Sequence, residues 1–165
     1  MIETERCLIK PFEQSDFTDV KKLYVNHKVR KYLGGIRPED AVEESLHGML
    51  QSGDNSFYWV VKEKQSGDFI GLVSLDPHHE GDDLEISYQF LPEWWGAGYA
   101  TEVVQKLIHY AFDELNLSRV IAETQTANTG SSRLLERAGM KRKKTIMRFG
   151  AEQAVYCIEN FFMKE

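Results

Sequence analysis

The sequence predicts an α/β domain built on a mixed β-sheet, with helices on both of its faces. A strand-like run at residues 84–90 is followed by an amphipathic helix at about 100–115 and by another strand at 119–126. Such a unit joins two parallel strands through a right-handed crossover. The other strand-like runs are joined by short turns, which favours antiparallel pairing. The length of 165 residues predicts one domain, residues 1–165, with a proper hydrophobic core.

The remaining elements follow from the spacing of apolar residues and from turn residues. Apolar runs bounded by Gly, Pro and polar clusters predict strands. The strands are expected at residues 6–11, 57–62, 69–76, 84–90, 119–126, 141–149 and 154–163. Apolar residues at three- and four-residue spacing predict a helix at about residues 100–115. Start and stop residues predict further helices at residues 15–24, 38–51 and about 128–139. Ser15 is the expected N-cap of the first helix, and Asn128 or Ser131 that of the last.

Composition and charge narrow the class of protein. The chain is 42% hydrophobic and 28% charged, which is typical of a soluble globular protein. It contains no run of 18 apolar residues, and its start, MIETERCLIK, lacks the apolar stretch of a signal peptide. A cytoplasmic protein without a membrane partner is therefore expected. The net charge of −6 argues against a nucleic-acid partner and leaves room for a cationic substrate.

The cysteines and histidines show no spacing typical of a metal site. Cys7 and Cys157 each lie in a predicted strand, which indicates small buried side chains rather than a disulfide. No Cys-x-x-Cys or Cys/His spacing typical of zinc occurs, so no metal is expected. His78 and His79 lie in a polar loop before an acidic run, and both are expected to be exposed to solvent.

The most informative segment is LPEWWGAGYAT, residues 91–101, which leads from a predicted strand into the long helix. Gly96 and Gly98 permit a tight turn and a close approach of the backbone to a ligand. The N–H groups at the start of the helix have no intrahelical acceptor and lie at the positive end of the helix dipole. The segment is therefore suited to bind an anionic group such as a pyrophosphate.

A second segment, NTGSSRLLERAGM at residues 128–140, makes the first more specific. Together the two segments resemble the GNAT N-acetyltransferases. The family's pyrophosphate loop has the pattern R/Q-x-x-G-x-G/A, and Trp95, Gly98 and Ala100 occupy its first, fourth and sixth positions. The second segment matches the family's N-x-x-S-x-R-x-L-E-x-x-G-F/M. The chain start, ETERCLIKPF, and the loop WGAGYATE are similar to the branch containing ribosomal-protein alanine and serine N-acetyltransferases.

The resemblance implies a GNAT fold, in which two parallel strands splay, and transfer of an acetyl group from acetyl-CoA to a primary amine. The enzyme would be a monomer or a homodimer. Backbone groups of Phe90 and Leu91 would pair with the pantetheine arm, and one of these N–H groups could stabilise the oxyanion. The residues expected to bind acetyl-CoA are Phe90, Leu91, Trp95, Gly96, Ala97, Gly98, Tyr99, Ala100, Thr101, Asn128 and Arg133.

Two side chains are candidates for proton transfer. Glu85 lies in L-E-I-S-Y, which resembles the family's A-E-I-G-Y strand, and is the candidate base; the alternative is a surface acid. Many family members carry a Tyr four residues before the G-F pair, where this chain has Leu135. In the ribosomal-protein branch the Ser of N-x-x-S is proposed as proton donor instead, which is Ser131 here. Asn128 and Ser131 could equally be helix caps, and Arg133 an ordinary surface residue.

The acceptor stays open at this point. A protein α-amine has a pKa of about 8 and a lysine one of about 10.4, so a single carboxylate base suits an α-amine better. The leading interpretation is therefore acetylation of a protein N-terminus of ribosomal-protein type. The alternatives are a small-molecule amine (a polyamine, an amino acid or an antibiotic) and a catalytically silent acyl-CoA-binding domain. A generic nucleotide-binding domain is disfavoured, because neither G-x-x-x-x-G-K-[ST] nor a complete G-x-G-x-x-G occurs.

Overall fold

The structure, a computed structural model, describes residues 1–78 and 81–160. Its strands are β1 Ile2–Glu3, β2 Cys7–Pro11, β3 Phe57–Glu63, β4 Phe69–Pro77, β5 Leu84–Phe90, β6 Arg119–Gln125, β7 Lys141–Arg148 and β8 Ala151–Glu159. Its helices are α1 Phe17–Tyr24, α2 His27–Arg30, α3 Glu39–Leu50, α4 Tyr99–Asp113 and α5 Thr129–Arg137. The chain forms two compact units. The first holds Met1–Leu75 and Tyr88–Tyr99, and the second holds the described parts of Asp76–Ser87 and Ala100–Glu165.

The first unit is an antiparallel sheet covered by helices. Strands β1, β2, β3 and β4 pair in this order, with Ile9 opposite Val61 in the β2–β3 register. Apolar side chains of α1 and α3 pack against β3 and β4, and Val20, Leu23 and Leu46 are fully buried. The predicted hairpin of β3 and β4 is confirmed.

The start of α1 differs from the expectation. Ser15 lies inside a 3₁₀ turn, Gln14–Asp16, and α1 begins only at Phe17, so the prediction of Ser15 as the N-cap is wrong. Asp16 stabilises this turn instead. Its carboxylate accepts a hydrogen bond from the Glu13 N–H at 2.9 Å and pairs with Lys10 Nζ at 3.0 Å. A local capping box between Glu13 and Asp16, reinforced by the ion pair of Asp16 with Lys10 on β2, therefore occupies the turn before the helix.

The second unit contains the predicted strand–helix–strand crossover. Strands β5 and β6 are parallel, with Glu85 opposite Ile121, while β6, β8 and β7 pair in antiparallel fashion. The buried face of α4 repeats at helical spacing, as expected. It consists of Val103, Val104, Leu107, Ile108 and Ala111. The prediction of a mixed α/β fold is confirmed.

Short elements and strand ends are where the sequence expectations fail. The two residues of β1 and the four of α2 are too few to show a period, and both were missed. Strand β8 begins at Ala151 rather than at 154, because Phe149 and Gly150 form a tight turn with φ of 57° and 76°. Positive φ at both turn residues is the geometry of a two-residue hairpin. The predicted strand end at 163 lies outside the described residues.

Gly71 marks a close approach between β4 and the end of β5. A Cβ atom added to Gly71 would lie 2.7 Å from Cδ1 of Phe90 and still closer to the Gln89 carbonyl oxygen. The Leu91 N–H donates to the Ile70 carbonyl at 2.9 Å and fixes the two segments at this distance. A glycine inside a strand pattern is a signal of such an approach, and the sequence interpretation did not use it.

Gly71→Ala should therefore destabilise the protein by about 1–3 kcal/mol, because backbone atoms of β5 must move. Gly48→Ala is the matched control. Gly48 lies in α3 with nothing within 4 Å of an added Cβ. Its replacement should stabilise the helix by about 0.5–1 kcal/mol. Urea unfolding of the two variants measures the difference, and equal stability of Gly71→Ala and wild type would contradict the close approach.

Candidate functional site

The glycine loop, residues 95–98, lies in the first unit and joins the 3₁₀ turn Pro92–Trp94 to α4. Gly96 and Gly98 have φ of 83° and 84°, in the left-handed region that favours glycine. Trp95 is half exposed, and its indole N–H donates to the Phe90 carbonyl at 2.8 Å. Because α4 begins at Tyr99, the N–H groups of its first turn have no intrahelical acceptor. The loop therefore has the geometry expected of an anion-binding turn.

Arg6 supports this loop from the start of β2. Its Nη1 donates to the Ala97 carbonyl at 3.0 Å, and its guanidinium carbon lies 4.0 Å from the centre of the Tyr99 ring. The Tyr99 hydroxyl donates to Glu63 at 2.6 Å, and this hydrogen bond lowers the pKa of the Glu63 carboxyl. Arg6 thus brings a cation to a loop in which Trp95 occupies the position of the family's Arg or Gln. The sequence interpretation missed Arg6, because residues 91 positions apart share no local signal.

The end of β5 allows a narrower assignment of the oxyanion donor. The Leu91 N–H is already engaged with Ile70, and the Phe90 carbonyl accepts the Trp95 indole. Of the two expected N–H donors, that of Leu91 is therefore the poorer candidate.

Glu85 lies in the second unit, on β5, and its side chain is partly buried. Burial raises the pKa of its carboxyl from 4.5 to about 7, and the charges of Glu123 and Asp76 add to this rise. A hydrogen bond from the Glu123 backbone and the charge of Arg148 oppose it. A carboxyl with a pKa near neutrality can both accept and release a proton at physiological pH, as a general base must.

His78, Glu123 and Arg148 form a buried cluster in the same unit. His78 Nε2 lies 2.7 Å from Glu123 Oε1, and Arg148 Nε lies 2.9 Å from Glu123 Oε2. The side chain of His78 is only 2% exposed. The prediction that His78 is exposed to solvent is therefore wrong, because its partner on β6 is distant in sequence. His79 lies outside the described residues.

The second predicted segment, residues 128–140, contains helix α5. Asn128 is the N-cap, and its Oδ1 accepts the Ser131 N–H at 3.1 Å. Ser131 is partly buried and Arg133 is exposed. Leu135, at the family's usual Tyr position, is 1% exposed and belongs to the core. The capping hydrogen bond uses only the side-chain oxygen of Asn128. The side-chain amide nitrogen takes no part in it, so capping is compatible with a second hydrogen bond donated by Asn128.

Within residues 1–78 and 81–160, no three His, Cys, Asp or Glu side chains are grouped to hold a metal ion. None of the helices in these ranges is both long and apolar enough to cross a bilayer.

Comparison with known proteins identifies the family. A family model described as an acetyltransferase (GNAT) domain matches residues 6–141. YnaD, an uncharacterized N-acetyltransferase of Bacillus subtilis, is 31% identical over 143 residues, covering 86% of this chain and 83% of that protein. The chain therefore belongs to the GNAT family of N-acetyltransferases.

Solved structures share the fold. A GNAT-family acetyltransferase from Bacillus anthracis has a TM-score of 0.84 and 27% identity, covering 96% of this chain and 97% of that one. A ribosomal-protein-S5-alanine acetyltransferase from Vibrio fischeri has a TM-score of 0.82 and 19% identity, with coverage of 99% and 98%. A spermidine N-acetyltransferase from Vibrio cholerae, in complex with CoA and spermine, has a TM-score of 0.79 and 20% identity, with coverage of 93% and 95%. At such identities the last two show the fold alone.

The raised pKa of Glu85 predicts a pH-dependent cost in stability. The folded state binds the Glu85 proton more tightly than the unfolded state, so ionisation destabilises the fold. This cost is absent below pH 4.5, grows between 4.5 and about 7, and is complete above 7. Glu85→Gln should therefore stabilise the protein at pH 8, on the order of 1–2 kcal/mol after allowance for solvent screening, and not at pH 4.5. Thermal melts at both pH values measure this, with the exposed Glu114→Gln as control; an equal effect at both would contradict the shift.

Proposed function

We propose that the protein transfers an acetyl group from acetyl-CoA to the N-terminal α-amine of a protein, of the ribosomal-protein type. The observation that carries this proposal is Glu85, a partly buried carboxyl whose pKa is raised to about 7. A base of this strength suits an α-ammonium with a pKa of about 8, because the proton transfer is uphill by only about 1.4 kcal/mol. From a lysine-like ammonium with a pKa of about 10.4 the same step would cost about 4.6 kcal/mol.

Named residues of the chain would bind the cofactor, stabilise the oxyanion and transfer protons. The glycine loop and the start of α4 bind the pyrophosphate through backbone N–H groups, supported by Arg6. Acetyl-CoA supplies the activated acetyl thioester. Glu85 accepts the proton of the ammonium, and the Phe90 N–H stabilises the oxygen that becomes negative when the neutral amine attacks. Ser131, or a water bound to it, relays the surplus N–H proton of the adduct to the thiolate as the C–S bond breaks, which leaves the amide and the free thiol. Asn128 and Arg133 contact the cofactor.

A polyamine is the second candidate acceptor. The segment 76–93 holds six acidic residues and no Lys or Arg, which would attract a polycation. The negative charges of Asp76 and Glu123 also act on Glu85, so three carboxyls lie close enough to interact electrostatically. The ammonium groups of a polyamine resemble that of lysine, however, so proton transfer from them to Glu85 would cost more free energy than transfer from an α-ammonium.

An acceptor panel tests the proposal. Release of free thiol from acetyl-CoA is measured at pH 7 with three acceptors. The first is a peptide that starts with Ala and lacks Lys, the second is an N-acetylated variant of it with one internal Lys, and the third is spermidine. The first should react faster than the second on the order of 10²-fold, from the difference in neutral amine alone. A preference for spermidine would replace the proposal by polyamine acetylation. Binding of CoA without turnover of any amine would indicate a silent binding domain.

Gly98→Glu tests the binding of the cofactor. The new side chain would fill the turn, close to Arg6, whose Nη2 lies 3.4 Å from an added Cβ, and would place a negative charge where a pyrophosphate is expected. Calorimetry should therefore detect no CoA binding. Gly150→Glu is the matched control: Gly150 has φ of 76°, so the backbone strain is similar, and nothing lies within 4 Å of an added Cβ. Undiminished affinity of a folded Gly98→Glu variant would contradict the assignment of the loop.

A further inference from the structure

Glu123 is a buried acid whose place in the second unit calls for an explanation. Its side chain is 6% exposed, and burial of a carboxylate is costly unless the charge is paired and hydrogen-bonded. Both oxygens are paired: Oε1 with His78 at 2.7 Å and Oε2 with Arg148 at 2.9 Å. Because an ionised carboxylate only accepts hydrogen bonds, Nε2 of His78 is the donor. The carboxylate is thus fixed from two sides.

The partners of Glu123 come from separate parts of the chain. His78 directly follows β4, and its backbone N–H donates to the Asp83 carbonyl at 3.0 Å. Arg148 is the last residue of β7, which the hairpin with β8 places two strands from β6. Glu123 itself lies on β6, two residues beyond Ile121, the register partner of Glu85. Directly opposite residues and those two positions further along share one face of a parallel strand pair, so Glu85 and Glu123 are diagonal neighbours on the same face.

We propose that Glu123 is a positioning residue of the site. His78 and Arg148 hold its carboxylate next to Glu85, and Glu123 acts on the base Glu85 through its negative charge. The inference rests on the proposed function only in giving Glu85 the role of base. A Glu85 carboxyl that keeps its proton at low pH can ionise near neutrality, where the acceptor amine also begins to lose its proton.

The charges acting on Glu85 have opposite signs, and this makes the proposal testable. Asp76 on β4 and Glu123 on β6 favour the protonated carboxyl, whereas Arg148 on β7 favours the ionised carboxyl. His78 contacts Glu123. Removal of an acid and removal of the cation must therefore move the titration of Glu85 in opposite directions. A purely structural role for the cluster would not produce this reversal.

The experiment is a titration of the Glu85 carboxyl by ¹³C NMR, with the resonance assigned by its loss in Glu85→Gln. In Glu123→Gln the pKa of Glu85 should fall by about one unit, and in Arg148→Gln it should rise by a similar amount. Arg148→Lys keeps the cation and should restore most of the wild-type value. Glu114→Gln removes one exposed acid after α4 and should leave Glu85 unchanged.

Activity and folding are read separately. Circular dichroism confirms that each variant is folded before it is titrated, and Asp76→Asn, which also removes an acid, replaces Glu123→Gln if that variant does not fold. Where turnover is measurable, the acid limb of the kcat/KM profile should follow the Glu85 titration in each variant. Shifts of Glu123→Gln and Arg148→Gln in the same direction, or no shift in the former, would overturn the proposal. Since the titration needs no acceptor, its outcome is independent of which amine the enzyme acetylates.

Discussion

The parallel pairing of β5 with β6 is the constraint on which the candidate site depends. Two parallel strands that follow one another in a chain require a crossover, and here α4 provides it. The glycine loop belongs to this crossover, because residues 91–98 connect the end of β5 to the first turn of α4. The same pairing puts Glu85 opposite Ile121 and brings it beside Glu123. The position along the chain of the proposed anion-binding loop and the pairing of the proposed base therefore both follow from one topological feature.

Local patterns were sufficient to predict most of the fold and the glycine loop. The period of α4, the glycines before it and the segment 128–140 each carry their signal within about a dozen residues. Arg6, His78 and Arg148 could not be predicted in this way, because their roles depend on partners that lie 25 to 91 residues away in the chain. Ser15 shows the converse: its local capping signal is strong, but Asp16, which forms a capping box with Glu13 and pairs with Lys10, precedes α1 instead.

The position of Leu135 has a chemical consequence for the leaving group. A family tyrosine at this place would offer a hydroxyl, whereas Leu135 is part of the core and offers none. In the proposed reaction, the thiolate is then protonated through Ser131 or by solvent, and neither is an acidic donor. A CoA thiol has an ordinary thiol pKa of about 8.5, so the thiolate is a reasonable leaving group near neutral pH even without a strong acid. Loss of the tyrosine is therefore tolerable for this chemistry.

The two cysteines give the folded protein a property that is useful at the bench. Cys7 is 0% and Cys157 7% exposed, and burial also raises the pKa of the Cys157 thiol. A thiolate, and not a thiol, is the reactive form toward thiol reagents. The two cysteines of the native chain should therefore react very little with a thiol-reactive dye. The colour that develops during turnover then comes from the thiol of free CoA. Once the chain unfolds, both sulfurs become accessible, and the same dye then counts denatured molecules.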